Sequence, residues 1–429
     1  MAIFRQGKEE YPDQTASYII FIDGSIIKAQ NGSTGNIDYQ GSDAATVIQA
    51  AIDAMTTGGK IFIKAGTYTI NDSITIEDGI TLEGENYYNG SLCTFLTLAN
   101  GINKDVITSS SIKRLEQVQI KNLTINANPA NQSSGSAIKL YSPYEGLIEN
   151  IWIQGAKDDG IEFLKAGADI VGTGTTIRNC HIGSCGQYGI SNDAYTTDID
   201  IDNCIVWEAG SFGIVVMGMN YIRNSEVYDC ENGIFLNWSG NTTIEGCVIH
   251  LNNKIGISGF NCTDCIISGN VIMFNSQNTS NSYSGIWIDS NGDRPAQYNK
   301  IIGNTIGSSL GTEKQHYGVE TVNSSANNII IGNSIINNVS GAVSLTGTNI
   351  ISDNAGYVNH NKGIAATIAD GGTIDHGLVT TPTTARVSGS VAGEMVAVTA
   401  LDATHITVAI KKHDGSAGTT QTIYWDADV

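Results

Sequence analysis

The stretch Asn203-Cys-Ile-Val-Trp-Glu-Ala-Gly-Ser-Phe-Gly-Ile214 is matched one repeat later by Asn224-Ser-Glu-Val-Tyr-Asp-Cys-Glu-Asn-Gly-Ile234. Both segments begin with Asn, place an aliphatic residue three positions later and end with Gly-Ile. The Gly-Ile phrase, sometimes varied, recurs at intervals of 20 to 33 residues, with its glycines at Gly160, Gly189, Gly213, Gly233, Gly256, Gly285, Gly318 and Gly341. A repeat of this length is typical of stacked units that bury a continuous core between neighbours.

The columns of the repeat predict its register. Each repeat has a residue of what we call the Asn column, which contains Asn150, Asn179, Asn203 and Asn224 and continues as Gly246, Gly269, Gly303 and Gly332. The position three residues after this column is always aliphatic, through Ile153, Ile182, Val206, Val227, Ile249, Ile272, Ile306 and Ile335. Alternate residues of a strand face opposite sides, so this column is expected to point inward. The connections are too short for crossover helices, so successive coils should stack as parallel strands. The predicted fold class is all-β, a single-stranded right-handed parallel β-helix.

One inward column carries cysteine and then asparagine. Cys180, Cys204 and Cys247 hold the position directly after the Asn column. We interpret them as stacked, reduced core residues, with disulfide bridging and metal binding as the alternatives. The column continues as Asn270, Asn304 and Asn333, which predicts a stack of buried amides that hydrogen-bond to one another.

The remaining chain divides into an N-terminal and a C-terminal part. Residues 1–40 form an N-terminal segment with one apolar strand from Tyr18. Residues 41–365 are assigned to the β-helix, and they begin with a helix that Ser42 or Asp43 would cap and that would end at Gly58-Gly59. This helix is expected to cap the open end of the coiled sheet. Residues 372–429 are expected to form a small antiparallel β-sandwich or meander.

The net charge of −20 restricts the partners. Nucleic acid is not expected, because a phosphate-binding face needs clustered Lys and Arg. A polyanionic glycan would be repelled unless cations such as Ca²⁺ bridge it. The first residues lack the apolar run of a secretion signal, and no apolar stretch is long enough to predict a membrane span.

Three motifs carry a family resemblance. They are Gly41-Ser-Asp-Ala-Ala-Thr-Val-Ile-Gln-Ala-Ala-Ile-Asp-Ala54, Gly58-Gly-Lys-Ile-Phe-Ile-Lys-Ala-Gly-Thr-Tyr68 and Ile80-Thr-Leu-Glu-Gly-Glu85. With the repeats they make residues 36–360 resemble the pectate-lyase-like β-helix superfamily, especially viral tailspikes and polysaccharide depolymerases. The resemblance implies a polysaccharide partner, an extracellular or virion-associated location and a homotrimer. The superfamily includes lyases, hydrolases, epimerases and non-catalytic adhesins, so the motifs do not select an activity.

The outward side of the Gly-Ile strands is the candidate groove, because it mixes apolar, aromatic and acidic residues. A first acidic set joins Asp159 and Glu162 on one coil with Asp193 on the next, with Tyr188 nearby. A Glu162–Asp193 backbone diagonal of roughly 8 Å follows from strand geometry, and inverting glycosidases hold their carboxyls about 6.5–9.5 Å apart. Asp158-Asp159-Gly-Ile also resembles the Asp-Asp-x-Ile of polygalacturonase-type hydrolases, although their other motifs are missing.

A second acidic set pairs Asp289 with Glu320. Aromatic and basic residues around it are candidates for binding a sugar: Trp287, Tyr283, Arg294 and His316. The alternative for both sets is a solvated surface, since Asp and Gly are also turn residues. Trp152, Trp207 and Trp238 are interpreted as packing under loops.

These features favour a glycoside hydrolase with paired carboxylates. Glu162 or Glu320 is the expected general acid, and Asp193 or Asp289 the expected base. A polysaccharide lyase is the first alternative, and it would need Ca²⁺ or Arg294 to offset a substrate carboxylate. A non-catalytic tail-fibre protein or adhesin is the second.

Overall fold

The structure is a computed structural model that describes residues 16–87, 92–168, 170–292, 294–310 and 312–429. The first part of the predicted N-terminal segment, residues 1–15, lies outside these ranges. The described residues are almost entirely β-strand, and the parallel strands wind as the coils of a β-helix. The predicted fold is confirmed for this part of the molecule.

Each regular coil contributes three strands. The groove sheet contains eleven parallel strands, Ile74–Ile76, Ile107–Ser109, Ile138–Tyr141, Ile161–Leu164, Tyr188–Asn192, Phe212–Gly218, Asn232–Ser239, Ile257–Phe260, Ile286–Asp289, Tyr317–Thr321 and Gly341–Ser344. The first arm, which leads to the Asn column, contains Gly59–Ile63, Ile80–Gly84, Thr176–Arg178, Ile199–Asp202, Asn220–Arg223, Thr243–Glu245, Ile266–Ser268, Lys300–Ile302, Ile329–Ile331 and Ile350–Ser352.

The second arm follows the Asn column. It contains Gly66–Ile70, Thr94–Leu98, His181–Gly183, Ile205–Trp207, Glu226–Tyr228, Val248–His250, Val271–Met273, Thr305–Ile306 and Ser334–Ile335. The strands Gln119–Asn126 and Leu147–Ile153 run through both arms. Four short strands form a small additional parallel sheet: Leu115–Glu116, Pro143–Tyr144, Gly172–Thr173 and Thr196–Thr197. A 3-10 turn spans Pro129–Asn131.

The Asn column marks the bend between the two arms. Its residues have a left-handed backbone, with φ of 54° at Asn150, 51° at Asn203 and 50° at Asn224. Where glycine takes over the column the conformation persists, with φ of 64° at Gly246. Asn and Gly are the residues that adopt this conformation most readily, which explains why the column contains Asn in the earlier coils and Gly in the later ones.

The interior is a stack of aliphatic and amide ladders. The predicted aliphatic column is buried throughout, and Cys180, Cys204 and Cys247 are buried thiols outside any disulfide, as the reduced-core interpretation expects. Asn270 donates to Asn304 at 3.0 Å, Asn304 to Asn333 at 3.0 Å, and Asn333 to Asn354 at 2.8 Å. The predicted amide stack is therefore confirmed and is one coil longer than the sequence suggested.

Two further amide ladders occupy other bends of the coil. One runs from Asn252 through Asn275 and Gln315 to Asn338, and the other from Asn299 through Asn328 to Asn349. Each ladder follows a buried cysteine whose backbone N–H bonds to the first amide, Cys230 to Asn252 and Cys265 to Asn299. Cysteine thus fills these corners in the earlier coils and amides fill them in the later ones.

The glycine of the Gly-Ile phrase is required by close packing between coils. A Cβ on Gly233 would lie 2.2 Å from the carbonyl oxygen of Gly256 and 2.7 Å from Cγ2 of Ile249. A real Cβ does not approach other atoms so closely, so the repeated glycine lets each coil settle onto the next.

The N-terminal part forms an antiparallel ribbon and one α-helix. Three strands, Tyr18–Asp23, Ile26–Asn31 and Ile37–Gly41, pair in order. The helix Ala44–Asp53 is capped by Asp43, whose carboxylate accepts from Thr46 N. It ends at Ala54, before the glycines at which the sequence placed its end, and its apolar stripe joins the main core. Its role as an end cap stays a prediction.

The C-terminal part contains two antiparallel three-stranded sheets around a separate small core. One sheet contains His360–Ile368, Gln421–Asp428 and Thr384–Gly389, and the other Thr373–Asp375, His405–Lys411 and Met395–Leu401. The strand His360–Ile368 crosses the predicted boundary at residue 365 and pairs with the last strand of the chain. The domain bounds themselves stay a prediction. Within the described ranges, the helices are too short or too polar to span a membrane.

Candidate functional site: an acidic groove on the β-helix

The outward face of the groove sheet has the predicted register. Glu162 pairs with Ser191 on the next coil, which places Asp193 one coil and two positions away. Trp287 pairs with Glu320, and Phe260 with Asp289, so Asp289 and Glu320 have the same diagonal relation. Both acidic sets therefore lie on one sheet of the cylinder, as predicted from the repeat.

The first set lines a groove of about 300 Å³. Its lining residues are Lys139, Asp158, Asp159, Glu162, Leu164, Gln187, Tyr188, Ser191, Asn192, Asp193, Val215, Met217 and Asn237. Four carboxyl groups and one ammonium group share this space, and Val215 and Met217 form its apolar side. The groove thus combines ionisable groups with apolar surface, a combination common in ligand-binding sites.

Asp159 is the most buried carboxyl of the groove, with 4 % of the residue exposed. Its Oδ2 accepts a hydrogen bond of 2.5 Å from Ser191 Oγ, and its Oδ1 accepts from Tyr188 N at 3.2 Å. Burial raises the pKa of Asp159 to about 7, the hydrogen bond from Ser191 opposes that rise, and the negative charges of Glu162 and Asp158 add to it. Asp159 can therefore hold a proton near neutral pH.

Glu162 has a different environment, because a lysine lies on the neighbouring coil. Lys139 pairs with Glu162 across the parallel strands, and its Nζ lies 3.0 Å from Glu162 Oε2 and 3.5 Å from Asp105 Oδ1. Ser136 Oγ also donates to Glu162 Oε2 at 3.0 Å. Burial lowers the pKa of Lys139, but the two carboxylates outweigh burial and raise it above its usual range. Lys139 is therefore cationic and forms an ion pair with the Glu162 carboxyl group.

Asp193 and Asp158 are used by the backbone of neighbouring loops. Asp193 Oδ2 accepts from Lys165 N at 2.6 Å, and its Oδ1 accepts from Tyr195 N at 2.9 Å. Asp158 Oδ2 accepts from Gly135 N at 2.7 Å. These bonds hold the two carboxylates in turns at the groove rim, so Asp193 is less suited to the role of base than the sequence suggested.

The second set is engaged in local hydrogen bonds. Ser284 Oγ donates to Glu320 Oε2 at 2.5 Å, and His316 Nδ1 lies 3.7 Å from the same oxygen. Asp289 Oδ1 accepts from Ser290 N at 2.7 Å and from Asn323 Nδ2 at 2.5 Å. The structure thus brings His316 to Glu320, as the sequence allowed, while Asp289 is bound by Ser290 beside it and by Asn323 of the following coil.

The predicted sugar-binding residues do not all converge. Trp287 is half-buried on the groove sheet and pairs with Glu320 on the following coil, whereas Tyr283 lies under the ammonium group of Lys254, 5.9 Å from the ring centre. Arg294 donates to Thr263 Oγ1 at 2.7 Å, beyond the end of the groove strand. Tyr188 belongs to the first set, where its backbone binds Asp159.

Three residues of the first set were missed from the sequence: Lys139, Ser136 and Ser191. Both Ser191 and Lys139 are in the outward column of Glu162, Ser191 on the following coil and Lys139 on the preceding one, where the Gly-Ile phrase is absent. Extending the column backward by one coil would have found Lys139.

The groove carboxylates do not form a metal site. Across the described ranges, three potential ligand atoms come within 4.8 Å of one another at His360, Asp426 and Asp428, on the C-terminal sheet. In the groove, Asp158 and Asp193 accept backbone hydrogen bonds and Asp159 is buried, so these residues do not fit the Ca²⁺ that the lyase alternative would need.

The chain has the fold of a right-handed parallel β-helix. The family described as "Right handed beta helix region" matches residues 166–310. Among solved structures, the mannuronan C-5 epimerase A-module of Azotobacter vinelandii is similar over 73 % of this chain and 95 % of its own, with a TM-score of 0.61 and 20 % identity.

Two other solved structures illustrate the range of proteins with this fold. The enzymatically active domain of tailspike protein 2 from bacteriophage CBA120 is similar over 93 % of this chain and 69 % of its own, with a TM-score of 0.56 and 13 % identity. The DFA-IIIase of Arthrobacter chlorophenolicus is similar over 73 % of this chain and 94 % of its own, with a TM-score of 0.55 and 13 % identity. No curated protein sequence matches the chain.

Proposed function

We propose that this protein binds a polysaccharide and cleaves it as a glycoside hydrolase. Asp159 is the general acid and Glu162 the general base or nucleophile. The observation that carries the proposal is the contrast between the two carboxyls, because Asp159 is buried with a pKa raised to about 7 while Glu162 contacts cationic Lys139. Two carboxyls whose environments separate their protonation states are the usual arrangement for acid–base cleavage of a glycosidic bond.

This assignment changes the roles expected from the sequence. Glu162 was the expected acid, but it is paired with the ammonium group of Lys139. Asp193 was the expected base, but it is held by backbone N–H groups. The polysaccharide as substrate is supported by the neighbours of the same fold, which include an epimerase of mannuronan and an enzymatically active tailspike domain. The net charge of −20 favours a neutral polysaccharide.

Kinetics of two conservative variants test the proposal. Asp159→Asn and Glu162→Gln should each lower kcat by about 10²- to 10⁴-fold, the usual contribution of a general acid or base. The measurement is reducing-sugar release from a panel of neutral polysaccharides, with alginate as an acidic member. Glu320→Gln is the matched control, since Glu320 is on the same sheet in the second acidic set, and it should retain activity.

Other outcomes would select an alternative. Ultraviolet absorbance from an unsaturated product would identify a lyase, which Lys139 could serve by binding a substrate carboxylate. Binding without cleavage by the wild-type protein would identify an adhesin. Full activity of Asp159→Asn would contradict the acid assignment.

We also propose an extracellular or virion-associated location and a homotrimer. Both are supported by the similarity to bacteriophage tailspike structures. Light scattering coupled to size-exclusion chromatography measures the subunit number, and a mass of one 45.4 kDa chain would contradict the trimer.

A further inference from the structure

A second surface with ring side chains lies on the outer side of the second arm. Trp152, His181, Trp207, Tyr228 and His250 stand on five consecutive coils, and all five are half-buried. Trp152 and Trp207, which were interpreted as packing under loops, lie in strands, with their ring centres 6.1 Å apart. We call these five residues the ring ladder.

Each ring of the ladder lies close to at least one other ring of the ladder. The ring centres of Trp152 and His181 are 5.1 Å apart, those of Trp152 and Trp207 6.1 Å, those of Trp207 and Tyr228 6.4 Å and those of Tyr228 and His250 5.4 Å. The last two pairs are nearly parallel, at 14° and 24°. The side chains therefore form one continuous surface.

A glycine makes room for the central tryptophan. A Cβ on Gly183 would lie 2.1 Å from Cε2 of Trp207, so the indole covers the backbone of the preceding coil. Gly183 is in the same column as Trp207 and pairs with it directly. The position of the indole thus depends on the absence of a side chain at Gly183.

The surroundings of the ladder are apolar with a polar margin. Half-buried Ile205, Val248, Val271 and Met273 extend the surface over the neighbouring positions. Glu226 stands between Ile205 and Val248 in their column, and its Oε1 lies 2.9 Å from His250 Nε2. At the margin, Ser184 Oγ donates to Glu208 Oε2 at 2.7 Å. Aromatic rings beside polar side chains suit a ligand that has both apolar faces and hydroxyl groups.

The dimensions of the surface distinguish between occupants. The five coils of the ring ladder and the next coil, which carries Val271 and Met273, are separated by five spacings of about 4.8 Å, so the surface is about 24 Å long. Two outward positions per strand give it a width of roughly 10 Å. The resulting area of about 240 Å² is far below the roughly 800 Å² that each partner contributes to a stable protein interface. A narrow strip fits an extended oligosaccharide better than a second copy of this chain.

We propose that the ring ladder is a second, non-catalytic binding surface for a neutral glycan. The negative net charge disfavours an acidic glycan, and the carboxylates of Glu226 and Glu208 would also repel one. The inference rests on the proposed function only for the choice of a glycan as ligand. The ladder binds the polymer away from the carboxylates of the groove and keeps it at the protein between cleavage events.

Binding is measured in the Glu162→Gln background, so that cleavage does not consume the probe. The probe is an array of neutral oligosaccharides of four to eight units. Trp207→Ala should weaken binding to the array at least about tenfold, the usual loss for a central aromatic contact. Gly183→Ala should have the same effect because it displaces the indole without removing it, which provides a second test should Trp207→Ala fold poorly.

Controls separate the ladder from the groove. Trp238, which is 38 % exposed on the groove sheet, gives the matched variant Trp238→Ala, and it should bind like the parent. In the background with an intact Glu162, Trp207→Ala should leave the rate of reducing-sugar release from short oligosaccharides unchanged. Failure of the proposed hydrolase would appear as no cleavage with binding intact, so the two proposals fail separately.

Three results would overturn the proposal. One is unchanged binding in both Trp207→Ala and Gly183→Ala. Another is no binding of any neutral oligosaccharide by the parent protein. The third is a smaller oligomer on light scattering for Trp207→Ala than for the parent, which would show that a second copy of the chain covers the ladder.

Discussion

At the scale of the residue, backbone conformation explains the clearest signal in the sequence. The Asn column, which continues as Gly in the later coils, contains the left-handed residues between the two arms, with φ near 50–67° at Asn203, Asn224, Gly246 and Gly332. Exposed Asn side chains add amide bonds along the axis, such as Asn203 Nδ2 to Asn179 Oδ1 at 2.8 Å. The requirement for left-handed φ is local, so it appears directly in the sequence.

Substitution of Asn203 tests this explanation. Asn203→Ala should lower the free energy of unfolding by about 1–2 kcal/mol, because alanine pays the steric cost of the left-handed conformation. Asn203→Gly should cost less, because glycine adopts that φ freely and loses only the amide bond to Asn179. The midpoint of denaturant unfolding measures both. An equal loss in the two variants would show that the amide bond, and not φ, determines the preference.

The ionisation of Asp159 gives a prediction that does not depend on catalysis. Its pKa is raised to about 7 in the folded protein and is near 3.8 in the unfolded chain, so the unfolded state loses its proton first as pH rises. The contribution of Asp159 to stability is therefore highest below pH about 4, falls between pH 4 and 7, and remains low above 7. The melting temperature of the wild-type protein should fall more between pH 5 and 8 than that of Asp159→Asn. Ser388→Ala, at an exposed position of the C-terminal strand Thr384–Gly389, is the control, and equal falls in all three proteins would contradict a raised pKa at Asp159.

At the scale of the element, the coil shows what the sequence could and could not predict. The Gly-Ile phrase and the aliphatic column predicted the register that pairs Glu162 with Ser191. The amide ladder from Asn270 was predicted because its column is regular, whereas the ladder from Asn252 to Gln315 was missed because loops of variable length separate its members. Lys139, the partner of Glu162 on the preceding coil, was missed because that coil lacks the Gly-Ile phrase.

The glycine at the start of each groove strand can be tested at this scale. Gly233→Ala should lower the free energy of unfolding by about 1–3 kcal/mol, the usual cost of overpacking, because the new Cβ meets the carbonyl of Gly256. Gly101→Ala is a control for introducing alanine where no atom lies within 4 Å, although its left-handed φ of 72° carries a backbone cost. Thermal unfolding of the two variants compares these effects. A smaller loss for Gly233→Ala than for Gly101→Ala would show that the coils can separate enough to admit a methyl group.

At the scale of the whole molecule, the cylinder separates its surfaces by direction. The groove sheet presents the carboxylates, the second arm presents the ring ladder, and the first arm carries outward charges that alternate in sign through Glu149, Arg178, Asp202, Arg223 and Glu245. These charges neutralise one another along the axis. Arg178 and Arg223 therefore lie in the first arm and away from the groove sheet.

The end of the cylinder provides the last prediction. The first strand of the groove sheet, Ile74–Ile76, pairs with one neighbour, and its free edge meets the helix Ala44–Asp53. The side-chain amide of Gln49 accepts from Thr75 N at 2.8 Å and donates to Thr75 O at 3.1 Å, as a neighbouring strand would. Gln49→Met keeps the length of the side chain and removes the amide, so we expect an exposed edge that pairs with other chains. Analytical ultracentrifugation should show concentration-dependent self-association for Gln49→Met. Gln49→Glu, which restores an acceptor for Thr75 N, should associate less. If Gln49→Met sediments as the wild-type protein does across the same concentrations, the helix does not protect the edge through this residue.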